Sequence, residues 1–255
     1  MIESFLTGKA DGYRHKAIDV TGSTNSDCFD AAQLGDIGNL WITANVQEQG
    51  KGSRGRGWVS EAGNLYASLL LNDPCAPEYL IGLPFVASLG VSDALIELGA
   101  NKADVAVKWP NDVLINGKKC SGILLESKVV GRTRYVVIGH GINCKHHPYD
   151  TLHDATNLQA EGVNVDVKDL FVILASTMAT RISQWDRGTG FSEIRAEWLN
   201  RAFGQGKEIE VRIPGNETKR GTFKSIDDRG CLMLEDATGQ LSAISTADIF
   251  FQNTD

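Results

Sequence analysis

No apolar run in this 255-residue chain approaches the roughly 20 residues a membrane-spanning helix needs, so a soluble protein is expected. The five cysteines, Cys28, Cys75, Cys120, Cys144 and Cys231, are scattered. No C-x-x-C pair occurs and no charged-then-apolar leader precedes them, which argues against a disulfide framework or zinc site and for a reducing cytoplasm. Excess positive charge is missing too: the formal net charge of −7 denies the chain the overall basic footprint of a nucleic-acid binder. Neither a P-loop G-x-x-x-x-G-K-[ST] nor a strand-to-helix G-x-G-x-x-G is present in proper context, so ordinary nucleotide folds are not indicated. Internal repeats and low-complexity segments are also absent. What is present is a 42% hydrophobic content, ordinary for a globular protein and enough for a sizeable core.

Hydrophobic patterning organises that content. Leu40–Val46 and Leu65–Leu71 read as strands on either side of a Gly- and Arg-rich loop at 50–57. Phe85, Leu89, Val91, Leu95 and Leu98 suit a helix that stops at Gly99, and Phe171, Leu174, Met178, Ile182 and Trp185 repeat at helical spacing. Val105–Val107, Val113–Ile115, Gly122–Glu126 and Tyr135–Ile138 continue the strand pattern. Helices over a mixed sheet follow from this order, an α+β fold. Near residue 205, after a helix through Trp198, Gly204 and Gly206 punctuate the chain and short strands follow at Glu208–Ile213, Thr222–Ile226, Cys231–Leu234 and Leu241–Ile244. Turn signals at Pro214-Gly215, 227–230 and 236–239 join them. The expected division is 1–204 and a small C-terminal β-barrel at 205–255 packed on the main domain.

Two stretches carry chemistry. In the first, Lys108-Trp109-Pro110-Asn111-Asp112 is followed by Val-Leu-Ile, an Asn116-Gly117 turn and Lys118-Lys119-Cys120-Ser121-Gly122. A two-residue Asn-Gly loop favours a type I′ turn, which sets residue 115 against 118, 114 against 119 and 112 against 121. Asp112, Lys119 and Ser121 then share one face and Lys118 takes the other. Asp112 and Lys119 become diagonal neighbours, within reach of one phosphate or acyl group or of nothing but each other. The second stretch is Gln47-Glu48-Gln49-Gly50-Lys51-Gly52-Ser53-Arg54-Gly55-Arg56-Gly57-Trp58. Its glycines let the backbone wrap closely around a ligand, and Lys51, Arg54 and Arg56 supply charge for phosphate or carboxylate; a solvated basic loop has the same composition.

Together with Ser23-Thr24-Asn25 and Gly139-His140-Gly141-Ile142-Asn143, these segments resemble the biotin protein ligases, in the same order and over residues 18–250. The resemblance implies a class II synthetase-like mixed sheet with flanking helices and an SH3-like C-terminal barrel. It implies that biotin and the magnesium complex of ATP form biotinyl-5′-adenylate and pyrophosphate, and that a lysine of a biotin carboxyl carrier domain, such as that of acetyl-CoA carboxylase, then takes the biotin. Lys119 matches the family's catalytic lysine, with Asp112 and Lys51 as its companions. By the same resemblance Ser23, Thr24, Asn25 and Gln47 bind the ureido end of biotin, with Gly50, Gly52, Ser53, Gly122, Gly139 and Gly141 allowing close approach. Arg54, Arg56, Trp58, Asn111 and Asn143 fall where the family contacts the adenylate. Alone, Ser23-Thr24-Asn25 is equally a helix N-cap. No resident metal is implied.

One departure stands out: the family's Gly-Arg-Gly-Arg is here Gly50-Lys51-Gly52-Ser53, in which Lys51 keeps the first charge but loses the bidentate fork and Ser53 loses the second charge altogether. Arg54 or Arg56 could swing into the gap, or the adenylate is released sooner; Ser53→Arg is expected to slow that release. The loop is expected to stay mobile until ligand arrives. His146, His147, His153 and Asp150 lack zinc spacing, and Cys120 lacks a base partner, so neither is read as a site. With about 17 residues before the first catalytic strand, the monofunctional class without a DNA-binding domain is expected. No DNA, no membrane and a monomer or homodimer complete the expectation. The alternatives are ligation of lipoate or another acyl group on the same scaffold, a non-catalytic biotin-binding protein, and a repressor.

Overall fold

The computed structural model describes residues 3–149, 154–213 and 217–251. Asp150 and His153, weighed above as metal ligands, and the Pro214-Gly215 turn lie outside the described residues. Eight strands form the first sheet: Glu3–Phe5 (β1), Arg14–Thr21 (β2), Leu40–Gln47 (β3), Leu65–Asn72 (β4), Val105–Lys108 (β5), Asp112–Ile115 (β6), Lys118–Val130 (β7) and Thr133–Ile142 (β8). Their order is β1-β2-β3-β4-β8-β7-β6-β5. Only β2 and β3 run parallel, because helix Thr24–Gln33 (α1) makes the crossover between them.

Alternation along the strands divides the core. Leu40, Ile42, Leu70, Tyr135 and Val137 point to one face, where they meet Cys28, Phe29 and Ala32 of α1. Trp41, Leu69, Val136 and Ile138 point to the other, under helices Leu83–Glu97 (α2), Val167–Trp185 (α3) and Phe191–Leu199 (α4). Pro84 opens α2 and Gly99, at φ 98°, closes it, as a C-terminal glycine should. The structure corrects one expectation here: by length and composition, Pro77–Glu97 is apolar enough to cross a membrane. It is 67% buried inside the protein, and that burial accounts for its apolar character.

A second sheet contains Glu208–Ile213 (β9), Glu217–Ile226 (β10), Leu232–Glu235 (β11), Leu241–Ile244 (β12) and Asp248–Phe251 (β13), in the order β12-β11-β10-β9-β13. It is antiparallel throughout, but it does not close as the expected barrel, because β12 and β13 remain its two edges. Strand β13 engages the first sheet instead: the Phe251 ring packs against Phe203 at 4.7 Å and lies 5.5 Å from the Lys108 amine. Trp109 Nε1 donates to the Gly230 carbonyl at 3.0 Å, pinning the 227–230 turn to the start of the 109–112 run.

Candidate active site

The Asn116-Gly117 turn has positive φ at both residues, 51° and 75°, which is the type I′ geometry expected of it. Ile115 faces Lys118 and Leu114 faces Lys119, but a bulge at Cys120 then shifts the register so that Val113 faces Ser121 and Asp112 faces Gly122. The predicted 112–121 pairing is therefore wrong, and Ser121 does not share a face with Asp112. One extra residue flips it to the core side, where it is fully buried with no hydrogen-bond partner for its hydroxyl. Asp112 and Lys119 survive the shift on a common face, with Lys119 Nζ 2.6 Å from Asp112 Oδ1. Opposite Asp112 now stands Gly122, whose lack of a side chain makes room for the Trp58 ring beside the pair.

This pair borders a cleft on the α1 side of the sheet. Asn111, Gly122, Gly139 and Gly141 form its floor and lip, Ser23, Thr24, Asn25 and Gln47 its far end, and Lys51, Gly52, Ser53 and Trp58 its opposite wall. Ile123, Leu124 and His140 complete the lining. The far end is a connected polar network. Gln47 Oε1 accepts from the Thr24 backbone N–H at 2.9 Å and lies 3.0 Å from Thr24 Oγ1. Gln47 Nε2 donates to Ser60 Oγ at 3.0 Å. Ser68 Oγ donates to Asn25 Oδ1 at 2.6 Å, and Asn25 Nδ2 donates to Glu126 Oε2 at 2.8 Å. Ser23 occupies the N-cap position of α1, yet its side chain makes no capping bond. Gln47 satisfies the amide of Thr24, the first helical residue, and Ser23 borders the cleft.

The loop folds as a tight hairpin. Trp58 N–H donates to the Gly50 carbonyl at 2.9 Å, Gly52 N–H donates to Arg56 O at 2.7 Å, and Lys51 bridges Gly57. Each of its cations has a partner, which offsets the self-repulsion expected of the sequence. Lys51 Nζ donates to Ser26 Oγ at 2.8 Å, Arg54 pairs with Asp248, and Arg56 donates to Ser53 Oγ at 2.9 Å. The Trp58 indole lies across the floor, where a Cβ at Gly141 would come within 2.6 Å of it and a Cβ at Gly122 within 2.8 Å. Lys119 Nζ is 5.5 Å from its ring. With the indole in place the cavity is only about 50 Å³, against the ~300–1,000 Å³ typical of small-molecule pockets. The lining therefore has to move to admit a ligand, and the Trp58 indole over Gly122 and Gly141 is part of that lining.

Four expected site residues do not line this cleft. Gly50 lies at the base of the loop hairpin, against Trp58 O and Ser60 Oγ. Arg54 and Arg56 turn to the second sheet. Asn143 is buried behind Cys120, donating its amide to Thr156 O at 3.0 Å. The sequence reading also missed members of the site. Ser68 and Glu126 complete the Asn25 network; Ser68 is a lone polar residue in an apolar run, a legible signal, whereas Glu126 begins the polar stretch Glu126-Ser127-Lys128 and carries no such mark. Lys108 is the other: it stands across from Asp112 on β5 and is 6% exposed. Burial is the main cause that pulls its pKa down to about 8, with Asp112 opposing and Lys119 reinforcing the shift. Burial likewise pushes the Cys120 thiol far above its usual range, so it stays protonated and unreactive.

The arrangement juxtaposes a lysine and a carboxylate, a polar far end and a basic loop in a cleft over glycines. Such a site can hold an elongated molecule by its polar head and meet a phosphate at the lysine. Comparison with known proteins gives the family. A model of the biotin/lipoate A/B protein ligase family matches residues 19–143, and a biotin protein ligase C-terminal domain model matches residues 205–252. The chain is 37% identical over 238 residues to the biotin–[acetyl-CoA-carboxylase] ligase of Paracoccus denitrificans, covering 91% of this chain and 98% of that one. It is 33% identical over 250 residues to the enzyme of the same name from Mycobacterium tuberculosis, covering 96% of this chain and 91% of that one. The biotin protein ligase of Aquifex aeolicus, solved in complex with biotin and ATP, shares the fold with a TM-score of 0.78 at 24% identity, over 93% of this chain and 98% of that one.

Proposed function

This chain belongs to the biotin/lipoate A/B protein ligase family, and from that premise we propose that it activates biotin with ATP to biotinyl-5′-adenylate and transfers the biotin to a lysine of a carboxylase carrier domain. In this reading 1–204 is the catalytic domain and 205–255 an appended one. The observation that carries the reading is the meeting, in one cleft, of the Lys119–Asp112 pair with the Thr24–Gln47 network.

The network favours biotin over lipoate. A ureido ring both donates and accepts hydrogen bonds, and Thr24, Gln47, Asn25 and the free Ser23 hydroxyl offer both functions at the closed end. A lipoyl dithiolane can answer neither. Thr24, Gln47 and Asn25 already bond one another, Ser60, Ser68 and Glu126, so it is the Ser23 hydroxyl that a buried dithiolane would leave unpaired, at about 1–3 kcal/mol, an asymmetry that discriminates between substrates.

In the first step the biotin carboxylate attacks the α-phosphorus and the bond to the pyrophosphate oxygen breaks, pyrophosphate leaving with the electron pair. Two anions must approach, so cations have to offset repulsion and hold the oxygens in line. Lys119 takes that place between carboxylate and α-phosphate, exchanging its contact with Asp112 for the substrate. Lys51, Gly52 and Ser53 close over the product. Magnesium arrives with the nucleotide; Asp112 is the one carboxylate lining the cleft among the described residues, and a single carboxylate beside phosphate oxygens suits that hard ion.

In the second step the acceptor amine attacks the mixed anhydride, the acyl C–O bond breaks and AMP departs. The amine must be neutral to attack, and Asp112 receives its proton. Residues 124–130 of β7 run on past β6, and among the described residues no strand pairs that edge beyond Gly122. An exposed strand edge this close to Lys119 suits docking of a carrier domain by strand addition.

The test is incubation of the purified chain with ATP, an apo carrier domain, and biotin or lipoate, followed by mass spectrometry of the carrier. One biotinyl group should be added by the wild type and none by Lys119→Ala. A lipoyl adduct would favour the second reading, and no adduct with either acid would sink both.

A further inference from the structure

The loop's two arginines share one carboxylate that lies in the other sheet. Arg54 Nη1 donates to Asp248 Oδ2 at 2.6 Å and Nη2 to Thr246 Oγ1 at 3.3 Å. Arg56 Nη2 lies 3.4 Å from Asp248 Oδ1. The same Arg56 guanidinium donates to Ser53 twice, from Nη2 to Oγ at 2.9 Å and from Nε to the carbonyl at 3.2 Å. Arg56 is thus folded back over Ser53, which lines the cleft at the position where the family pattern has an arginine. We propose that Asp248 is a positioning residue for the adenylate: from β13 it ties the basic loop to the second sheet and holds Arg56 ready to supply the charge that Ser53 lacks.

Three features support this assignment, which rests on the ligase reading. Arg54 sits at φ 59°, a left-handed conformation unfavourable for a residue with a Cβ, and its two bonds to the second sheet hold it there. The tie is half in water, with Arg56 48% and Asp248 25% exposed. An ion pair of that exposure is weak. Arg56 can therefore trade a carboxylate for a phosphate at small cost without leaving the loop, and a guanidinium suits both anions. Finally, Asp248 is not among the residues that line the cleft, and its side-chain bonds go to the two loop arginines, so it acts on the adenylate through them.

The experiment follows biotinyl-adenylate made in place from biotin and α-labelled ATP, by its rate of escape from the intact protein during rapid gel filtration. Asp248→Ala should release it about tenfold faster than wild type, as expected for loss of one charge-assisted contact, with Asp248→Glu close to wild type. Adding Ser53→Arg to Asp248→Ala should restore retention, and should slow release more in that background than in the wild type, where Arg56 already supplies the charge; equal effects in the two backgrounds are what a merely structural role for Asp248 predicts. Arg56→Gln, on the exposed loop, should reproduce the faster release even if Asp248→Ala fails to fold. Release at the wild-type rate from Arg56→Gln or from folded Asp248→Ala, or no rescue by Ser53→Arg, overturns the assignment. If the wild type itself forms no adenylate, it is the ligase reading that falls.

Discussion

Gly139→Ala is the most exacting test of the cleft, because its cost can be read from the structure. Gly139 lies in the middle of β8, facing Ser68 on β4 and Leu124 on β7, in ordinary strand conformation. Alanine there brings no backbone strain. Its Cβ would, however, collide with Asn25 Oδ1 and lie 3.0 Å from Asn25 Cγ. Asn25 cannot step aside freely, since its amide is held by Ser68 on one side and the Glu126 carboxylate on the other. Moving it sacrifices one neutral and one charge-assisted hydrogen bond, together about 2–4 kcal/mol. For a chain of this size that corresponds to a fall in Tm of roughly 5–15 °C, readable by thermal unfolding. Calorimetric titration should show biotin binding weakened in parallel. Asn25→Ala removes the colliding atom and the same two bonds, so the double variant should be no less stable than Asn25→Ala alone. Fully additive losses would refute the argument, since they would mean that Gly139 is needed for something other than room for Asn25.

Two further outcomes follow from the same geometry. Asp112→Asn should transfer biotin from supplied adenylate to the carrier about a hundredfold more slowly, in a single-turnover assay, and an unchanged rate would remove Asp112 as proton acceptor. Burial lowers the pKa of His140 from 6.5 to about 4, and its Nε2 has no partner. Between those pH values the unfolded chain binds the extra proton and the folded chain does not. Stability therefore rises with pH through this window and is lost as pH falls from 6.5 toward 4, by on the order of 3 kcal/mol in full. Urea unfolding at pH 7 and pH 4.5 should show a smaller difference for His140→Gln than for wild type, and equal differences would place the acid sensitivity elsewhere.

Much of the fold is legible in the residue pattern. Near-continuous apolar runs locate β3, β4 and β8, because those strands are covered by α1 on one face and by α2 and α3 on the other, and helical spacing locates α2 and α3. Strand β2 escapes that reading: Arg14, His15, Lys16 and Asp19 interrupt its apolar positions, and the strand is half-buried or exposed along its length. Strand β13 escapes because Asp248-Ile249-Phe250-Phe251 shows no apolar–polar alternation and no turn signal sets it apart. In the site, the Asp112–Lys119 neighbourhood follows from the chemistry of the Asn116-Gly117 turn. The bulge at Cys120 does not, since nothing in the residue types marks one extra residue in a ladder; turn chemistry alone therefore sets Ser121 on the wrong face.

The sequence by itself determined the kinds of groups present and their local relations: the two turn residues, the strand that follows them, the glycines under the cleft and the serine in the basic loop. These depend on φ and ψ preferences and on periods of two or 3.6 residues, which operate over a few positions. The tertiary structure decided which distant groups meet. Gln47 caps α1, Glu126 holds Asn25, Trp58 covers Gly122 and Gly141, and Arg56 reaches Asp248, 192 residues away. Those contacts depend on how two sheets and a helix pack, a balance of burial over the whole chain that no local pattern encodes.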